Sequence, residues 1–232
     1  MRVTMTQVKD HFEAEAEEFD RIILRLIPYY PQMLEALVST IPFDANTPFN
    51  VIDLGCGTGT IAKRIAELFP KASITCMDFA ENMIRMTQAK LTPFPNIQYQ
   101  VGDFNTYTFT GTYHVVVSSL ALHHLISDSD KMDFYRKIYA ALTPGGIFFN
   151  ADVVLASGPF LQQVYLKKWK AFMRQQVDEA EIDNKWMVTY NTEDRPARLL
   201  DQLDWLRKIG FMEVDVLWKY YNFAVYGGMK PF

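Results

Sequence analysis

The fold is decided by the stretch Phe49 to Ile65, which reads F-N-V-I-D-L-G-C-G-T-G-T-I-A-K-R-I. It opens with an apolar run long enough for a buried parallel strand, continues through a glycine-rich turn, and ends with apolar residues at helical spacing. Strand, glycine turn and helix in this order are typical of the first unit of a nucleotide-binding α/β fold. The glycines allow a ligand to approach the backbone closely, and the free N–H groups at the helix start attract a polar or anionic group.

The glycine spacing and two aspartates narrow the choice of ligand. Dinucleotide folds use G-x-G-x-x-G, but the sixth position counted from Gly55 is Thr60, so the third glycine comes one residue early. Asp53 lies at the end of the strand, where a carboxylate faces a pyrophosphate badly but suits an ammonium group. The next predicted strand ends in Asp78, where a carboxylate can accept hydrogen bonds from a ribose diol. These features favour a ligand that carries both an ammonium group and a ribose.

In this region the chain resembles the class I S-adenosylmethionine (SAM)-dependent methyltransferases. The segments that carry the resemblance follow the family's order over roughly residues 49 to 150: V-I-D-L-G-C-G-T-G-T, I-T-C-M-D-F-A-E-N-M-I, the V-G-D-F turn and V-V-V-S-S-L-A-L-H-H-L. The tail, I-G-F-M-E-V-D-V-L-W-K-Y-Y-N-F-A-V-Y-G-G, is similar to the family's closing hairpin. The resemblance implies a Rossmann-like α/β fold with a seven-stranded, mostly parallel sheet and a C-terminal antiparallel hairpin. It also implies SAM as the cofactor and S-adenosylhomocysteine as its product.

The length of 232 residues predicts a single domain, which we divide into four parts. These are a helical N-terminal extension (1-45), a SAM-binding core (49-155), a helical insertion after the fifth strand (156-192), and a closing helix and hairpin (193-232). The extension and the insertion carry more aromatic and aliphatic side chains than one helix layer needs. We therefore expect residues 5–30 and 157–192 to close as a lid over the carboxyl edge of the sheet.

The local pattern also predicts where the later elements begin and end. The fifth strand is expected from Ile147 to Val154, after a break at Pro144-Gly145-Gly146. The last helix is expected from about Arg195 to Ile209, with Gly210 as a left-handed cap. The terminal hairpin is expected to pair Phe211 to Trp218 with Tyr220 to Tyr226.

The composition indicates which partners and which cellular compartment to expect. Hydrophobic residues make up 49% of the chain, which is ample for a core, and the net charge of −4 gives no general attraction to nucleic acid. No stretch approaches the length of a membrane span, and the N-terminus lacks a signal pattern. The two cysteines, Cys56 and Cys76, are expected to be buried thiols, which favours a reducing, cytoplasmic compartment. No metal site is predicted, because C-x-x-C spacing is absent. We expect a small-molecule acceptor, no nucleic acid or membrane partner, and a monomer or homodimer.

The resemblance assigns roles to the residues at the predicted carboxyl edge. Asp53 is expected to hold the ammonium of the methionine portion, directly or through water. Asp78 is assigned to the ribose hydroxyls, with capping of the following helix as its alternative role. Asp103 is assigned to the adenine amino group, and it could instead be an ordinary turn aspartate. The other predicted cofactor residues are Gly55, Cys56, Gly57, Gly59, Phe79, Met83, Phe104, Ser119 and Leu120.

Two adjacent histidines and several aromatic residues are the candidates for acceptor chemistry. His123 or His124 could act as a general base near neutral pH; alternatively, one caps a helix and the other packs beneath the cofactor. Transfer of a methyl group from a sulfonium needs mainly placement and desolvation, so a strong base is not required. The predicted substrate residues, which could instead only pack the extension onto the sheet, are Phe19, Tyr29, Tyr30, Trp186 and Tyr190.

The favoured function is transfer of a methyl group from SAM to a small-molecule acceptor by in-line displacement. As an alternative, the N-terminal F-D-R-I-I-L-R-L-I-P-Y-Y resembles the enzyme that makes carboxy-SAM for wobble-uridine modification of tRNA. That cofactor would require a cationic group beside the transferred carbon. A non-catalytic SAM-binding module and, more distantly, a NAD-dependent dehydrogenase are further alternatives.

Overall fold

The computed structural model describes residues 18–232, and their centre is one seven-stranded sheet. The strands are β1 (Asn50–Leu54), β2 (Ser73–Asp78), β3 (Ile97–Val101), β4 (Tyr113–Ser119), β5 (Leu142–Val153), β6 (Met212–Tyr220) and β7 (Phe223–Met229). Their order in space is β3-β2-β1-β4-β5-β7-β6. Strands β1 to β5 are parallel, whereas β7 is antiparallel to both β5 and β6. The predicted mostly parallel sheet with an antiparallel terminal hairpin is confirmed.

Helices cover both faces of this sheet. They are α1 (Phe19–Leu26), α2 (Tyr30–Val38), α3 (Thr60–Leu68), α4 (Glu81–Leu91), α5 (Asp128–Ala141), α6 (Pro159–Met173), α7 (Glu179–Glu181), α8 (Met187–Thr192) and α9 (Leu199–Ile209). A single 3₁₀ turn spans Leu122–His124, and a π-helical turn spans Ile182–Trp186. The part of the predicted helical N-terminal extension that precedes residue 18 lies outside the described residues. No helix within 18–232 is long and apolar enough to span a membrane.

Local sequence signals explain where several helices begin and end. Ser127 precedes α5 and accepts a hydrogen bond from the N–H of Asp130, whose side chain accepts one from the N–H of Ser127 in return. This reciprocal capping box satisfies two backbone donors at the helix start. At the other end of the chain, α9 stops at Gly210, which has a φ of 116° and is the left-handed cap that the sequence predicted.

Strand β5 begins earlier than the local pattern predicted. It starts at Leu142 rather than Ile147, because Leu142 pairs with Tyr113 of β4 across an irregularity in the ladder. The Pro-Gly-Gly segment therefore lies within the strand and does not precede it. Its Gly145 has a φ of 72°, which a glycine adopts without strain.

Two other predicted bounds are also corrected. Helix α9 begins at Leu199 rather than near Arg195, because the backbone before it is extended against Leu155. The N–H of Leu155 donates to the carbonyl of Ala197, and the N–H of Leu199 donates to the carbonyl of Leu155. The terminal hairpin turns two residues later than predicted: β6 continues through Tyr220 and the turn falls between the two strands.

The extension and the insertion share one core layer with the sheet. This layer combines side chains of α2, α3, α4 and the insertion on one face of the sheet, including Met33, Leu37, Ile61, Ile65, Met173, Trp186 and Tyr190. The opposite face is covered by α5 and α9 through Phe134, Tyr135, Ile138, Leu203 and Leu206. The carboxyl ends of the strands are left between the two layers, and the functional cleft lies there.

Candidate functional site

The glycine turn after β1 forms the floor of a cleft at the carboxyl ends of β1, β2 and β4. Gly55, Gly57 and Gly59 all have positive φ, between 54° and 79°. A Cβ atom on Gly55 would lie 2.3 Å from the Cβ of Ala121, and one on Gly59 would lie 2.8 Å from Thr87. These two glycines are therefore required by packing as well as by backbone conformation.

The side chain of Asp78 holds the glycine turn against the end of β2. Its Oδ2 accepts a hydrogen bond from the N–H of Gly57 at 2.9 Å, and its Oδ1 accepts one from the N–H of Ala80 at 2.9 Å. The bond to Ala80, the residue that precedes α4, resembles the helix-capping role that was the alternative prediction for Asp78. Asp78 thus lies at the cofactor side of the glycine turn, and its contact to a ribose stays a prediction.

The carboxylate of Asp53 is buried in the wall of the same cleft. The residue is 1% exposed, and neither oxygen accepts a hydrogen bond of good geometry from residues 18–232. Burial and, to a smaller extent, the charge of Asp78 raise the pKa of Asp53 to about 7, and the N–H of Ala62 offsets these two effects only in part. A buried carboxylate without a partner is unfavourable, so this site fits a ligand that brings a cation, such as an ammonium group.

Almost all of the predicted cofactor residues line this cofactor cleft. It encloses about 770 Å³ of empty space when its open mouth is included. Gly59 is the exception, because it does not line the cleft and packs against Thr87 instead. The predicted residues present are Asp53, Gly55, Cys56, Gly57, Asp78, Phe79, Met83, Asp103, Phe104, Ser119 and Leu120. Sequence reasoning missed Thr58, Thr60, Ile61 and Ala121; the two threonines flank the last glycine, so the turn itself was a signal for them.

A second cavity adjoins the cofactor cleft, and its lining is largely apolar and aromatic. The two spaces share Phe19, Leu120 and His124 as common wall. We call the second space the acceptor cavity; its other lining residues are Ile22, Ile23, Leu26, Ile27, His123, Val153, Trp169, Trp186, Thr189, Tyr190, Glu193, Asp194 and Phe223. The structure thus brings α1 and the insertion together over the carboxyl edge.

The predicted aromatic substrate residues lie in different parts of the structure. Trp186 and Tyr190 line the acceptor cavity, and Tyr30 lines the cofactor cleft. Tyr29 lies outside both: it is half exposed, and its ring packs 4.8 Å from that of Tyr220 on the hairpin. The expectation that Tyr29 contributes to the site is thus not supported by its placement, because its φ of 55° at the start of α2 turns it away from its neighbour.

Polar contacts fix α1 to both sides of the site. Asp20 accepts hydrogen bonds from Thr58 in the glycine turn at 2.5 Å and from Lys90 of α4 at 2.6 Å. Burial raises the pKa of Asp20, but these two donors outweigh it and hold the pKa below its ordinary value. Toward the insertion, the Nε1–H of Trp169 donates to the carbonyl of Leu26 at 2.7 Å. Helix α1 therefore bridges the cofactor turn and the insertion.

The two histidines differ in protonation at neutral pH. Nδ1 of His123 lies 2.6 Å from Asp152, and its Nε2 lies 3.4 Å from Asp194. Burial alone would lower the pKa of His123, but the two carboxylates raise it to about 10. Burial and the neighbouring charge of His123 lower the pKa of His124 to about 3. His123 is therefore held as a cation by an ion pair and His124 is neutral, so neither pKa suits a general base near neutral pH.

Comparison with known proteins agrees with this geometry. A family model described as a methyltransferase domain matches residues 51–146, from β1 to the start of β5. Residues 51–146 thus contain a methyltransferase domain, in agreement with the resemblance to the class I SAM-dependent methyltransferases. The match covers the glycine turn, both strand-end aspartates and the two histidines, so most residues that line the cofactor cleft fall within the matched segment.

Two relatives and one solved structure illustrate the breadth of the family. Malonyl-[acyl-carrier protein] O-methyltransferase of Bacillus anthracis is 26% identical over 188 residues, 80% of this chain; the chain spans only 64% of that relative's length. Carboxy-S-adenosyl-L-methionine synthase of Nautilia profundicola is 24% identical over 220 residues, 94% of this chain and 93% of the relative. The solved complex of DhpI with SAM and HEP superposes with a TM-score of 0.66 at 16% identity, covering 98% of this chain and 97% of that one. SAM is thus the cofactor of this methyltransferase fold, whereas these relatives differ in the reaction for which they are named.

Proposed function

We propose that this methyltransferase transfers the methyl group of SAM to an apolar, uncharged small molecule held in the acceptor cavity. The observation that carries the proposal is the buried carboxylate of Asp53, which has no hydrogen bond of good geometry from residues 18–232 and lies in a cleft that adjoins an apolar cavity. The carboxylate matches the ammonium of SAM, and the adjoining cavity offers a dry space for an acceptor.

The cofactor residues fit the parts of SAM as follows. Asp53 would hold the ammonium and Asp78 the ribose hydroxyls, while the glycine turn lets the cofactor approach the backbone. Asp103 would accept a hydrogen bond from the adenine amino group. Its Oδ1 also accepts hydrogen bonds from the backbone and the side chain of Asn105, so Asp103 stabilises the local turn as well. Phe79, Met83 and Phe104 supply the apolar slot for the adenine ring.

The shared wall explains how these residues would promote transfer. SAM supplies an electrophilic methyl group, and an in-line displacement needs the acceptor atom on the far side of that methyl group. Phe19 and Leu120 border both spaces, so they would align the two ligands and exclude water between them. His124, neutral and also on this wall, would orient the acceptor by donating a ring N–H to it.

The charge of the acceptor cavity restricts the acceptor. Among residues 18–232, no lysine or arginine lines either space. The cation of His123 is offset by Asp152 and Asp194, and Glu193 adds a further carboxylate to the cavity lining. This arrangement supports a neutral hydroxyl or amine acceptor. It disfavours the carboxylated cofactor of the carboxy-SAM synthases, which would bring a negative charge to a place without a free counter-charge.

A binding and a transfer experiment test the proposal together. Calorimetry should show binding of SAM and S-adenosylhomocysteine and no comparable binding of NAD. Protein incubated with SAM labelled in its methyl group should then label neutral aromatic alcohols or amines in a mass-spectrometric screen, and not their carboxylated analogues. Tighter binding of NAD would end the methyltransferase assignment, whereas labelling of acidic acceptors alone would end the assignment of a neutral one. SAM binding without any transfer would favour the non-catalytic alternative.

Compartment and assembly are a further part of the proposal. Both cysteines are buried and unpaired as thiols, which supports the expected reducing, cytoplasmic environment. The expectation of a monomer or homodimer stays a prediction, which sedimentation of the purified chain would check.

A further inference from the structure

Three potential metal ligands converge in the wall of the acceptor cavity. Nε2 of His123 lies 3.4 Å from Oδ1 of Asp194, and Nδ1 of His124 lies 3.9 Å from the same oxygen. One ligand atom from each residue can be chosen so that all three lie within 4.8 Å of one another. We propose that His123, His124 and Asp194 bind a divalent transition-metal ion, of which Zn²⁺ is the best-matched example.

The surroundings of His123 support this assignment independently of the three ligands. Its Nδ1 is 2.6 Å from Oδ1 of Asp152, and the Oδ2 of Asp152 accepts hydrogen bonds from the backbone N–H of His123 and from Asn150. Asp152 is itself 2% exposed. A histidine that binds a metal commonly donates its other ring N–H to such a carboxylate, which fixes both the tautomer and the ring orientation. Here Asp152 fixes Nδ1 as the donor and directs Nε2 toward Asp194.

The type and spacing of the donors indicate which metal would fit. Zn–N bonds of about 2.0–2.1 Å and Zn–O bonds of about 2.0–2.2 Å place tetrahedral ligand atoms about 3.4 Å apart. The distance from His123 to Asp194 already has this value, whereas the 3.9 Å from His124 to Asp194 would have to shorten by about 0.5 Å when the ion binds. Two imidazoles and one carboxylate suit zinc or a neighbouring first-row ion, whereas Mg²⁺ prefers oxygen ligands.

An ion at this point would have a direct use in the proposed reaction. Catalytic zinc sites keep three protein ligands and leave one position open. All three residues line the acceptor cavity, so the open position would face the acceptor, and His124 also borders the cofactor cleft. A metal-bound hydroxyl loses its proton more readily, which makes a better nucleophile for methyl transfer. This role rests on the proposed function, whereas the metal site itself does not.

The competing arrangement is the simple ion pair, with a proton rather than a metal on Nε2 of His123. The two are distinguished by titrating ZnCl₂ into full-length protein stripped with EDTA, at pH 7.5, by calorimetry. We expect one equivalent of Zn²⁺ to bind, and Asp194→Asn to weaken binding by at least tenfold. Asp152→Asn should weaken it by about 10- to 100-fold, the usual effect of losing the carboxylate behind a ligand. Glu193→Gln is the matched control, because its carboxylate lines the same cavity but is not one of the three ligands.

Two further measurements make the outcome decisive. Cobalt added to the stripped protein should give visible absorption bands of a low-coordinate site, and Asp194→Asn should abolish them. Thermal melting of each variant confirms that it is folded. Absence of stoichiometric Zn²⁺ binding, or equal affinity in wild type and Asp194→Asn, would overturn the metal site. SAM titrated into the same stripped protein separates the two proposals: SAM binding without Zn²⁺ binding ends the metal site alone, and Zn²⁺ binding without SAM binding ends the proposed function alone.

Discussion

The substitution Asp53→Asn should stabilise the ligand-free protein and at the same time weaken its binding of SAM. Burial and the neighbouring charge of Asp78 raise the pKa of Asp53 from 3.8 to about 7, and no cation within residues 18–232 offsets them. A carboxyl group with a raised pKa stabilises the folded state at low pH, and this contribution is lost as the pH rises from 3.8 through 7. Above pH 7 the ionised group then costs the fold about 4 kcal/mol, at about 1.4 kcal/mol for each unit of pKa.

Asparagine has nearly the same shape but does not ionise, so the variant avoids this cost. At pH 5.5 about half of the loss has occurred, and at pH 8.5 all of it has. The stability of Asp53→Asn relative to wild type should therefore increase by about 2 kcal/mol between these two values. SAM binding should behave in the opposite way. Loss of a charged hydrogen-bond partner for the ammonium should weaken binding by about 1.5–3 kcal/mol, or about 10- to 150-fold.

Urea denaturation at pH 5.5 and 8.5, together with calorimetric titration of SAM, measures both effects. Asp133→Asn serves as the control, because the side chain of Asp133 is 62% exposed and its loss should change stability by about 0.5 kcal/mol or less at either pH. The reasoning is refuted if Asp53→Asn is less stable than wild type by the same amount at both values. That result would mean that the carboxylate is already compensated in the ligand-free protein.

Three further substitutions test other contacts of the site. Asp78→Ala should weaken SAM binding by about 1–3 kcal/mol in calorimetry, and unchanged affinity in a folded variant would show that the ribose lies elsewhere. Asp20→Asn should speed SAM dissociation in stopped-flow measurements, because it weakens the link from α1 to Thr58 and Lys90; an unchanged dissociation rate would exclude a role for α1 in retaining the cofactor. Trp169→Phe removes the hydrogen bond to α1 and should raise the KM for the acceptor while leaving the Kd of SAM unchanged. Hydrogen exchange in α1 and α6 should slow when cofactor product and acceptor are both bound, and exchange that ignores ligands would contradict lid closure.

The cofactor cleft was predictable because its residues are set by short, local signals. The glycine turn follows β1 directly, and Asp78 ends the next strand along the chain. In a parallel sheet the carboxyl ends of neighbouring strands lie at one edge, so residues at strand ends are brought together by topology alone. This is why a motif that covers only the first half of the chain could place Asp53, Asp78 and Asp103 in the same cleft.

The acceptor side was less predictable, because its decisive contacts join distant segments. Asp152 and Asp194 reach His123 from the end of β5 and from the loop after α8, and neither carries a local signal of its role. The fate of the two adjacent tyrosines was equally undetermined. A left-handed backbone at Tyr29 directs that ring to the hairpin and its neighbour Tyr30 to the cofactor cleft, and no pattern of neighbouring residues specifies such a conformation for a tyrosine.

Helix α1 contacts both the cofactor cleft and the acceptor cavity. Phe19 borders both the cofactor cleft and the acceptor cavity, and the next residue, Asp20, is bonded to Thr58 of the glycine turn. The same turn is held at Gly57 by Asp78, the predicted ribose ligand. A cofactor that contacts Asp78 therefore acts on the turn that anchors α1, and α1 in turn supplies wall to the acceptor cavity. We therefore expect occupancy of the cofactor cleft to influence the shape of the acceptor cavity through these three adjoining contacts.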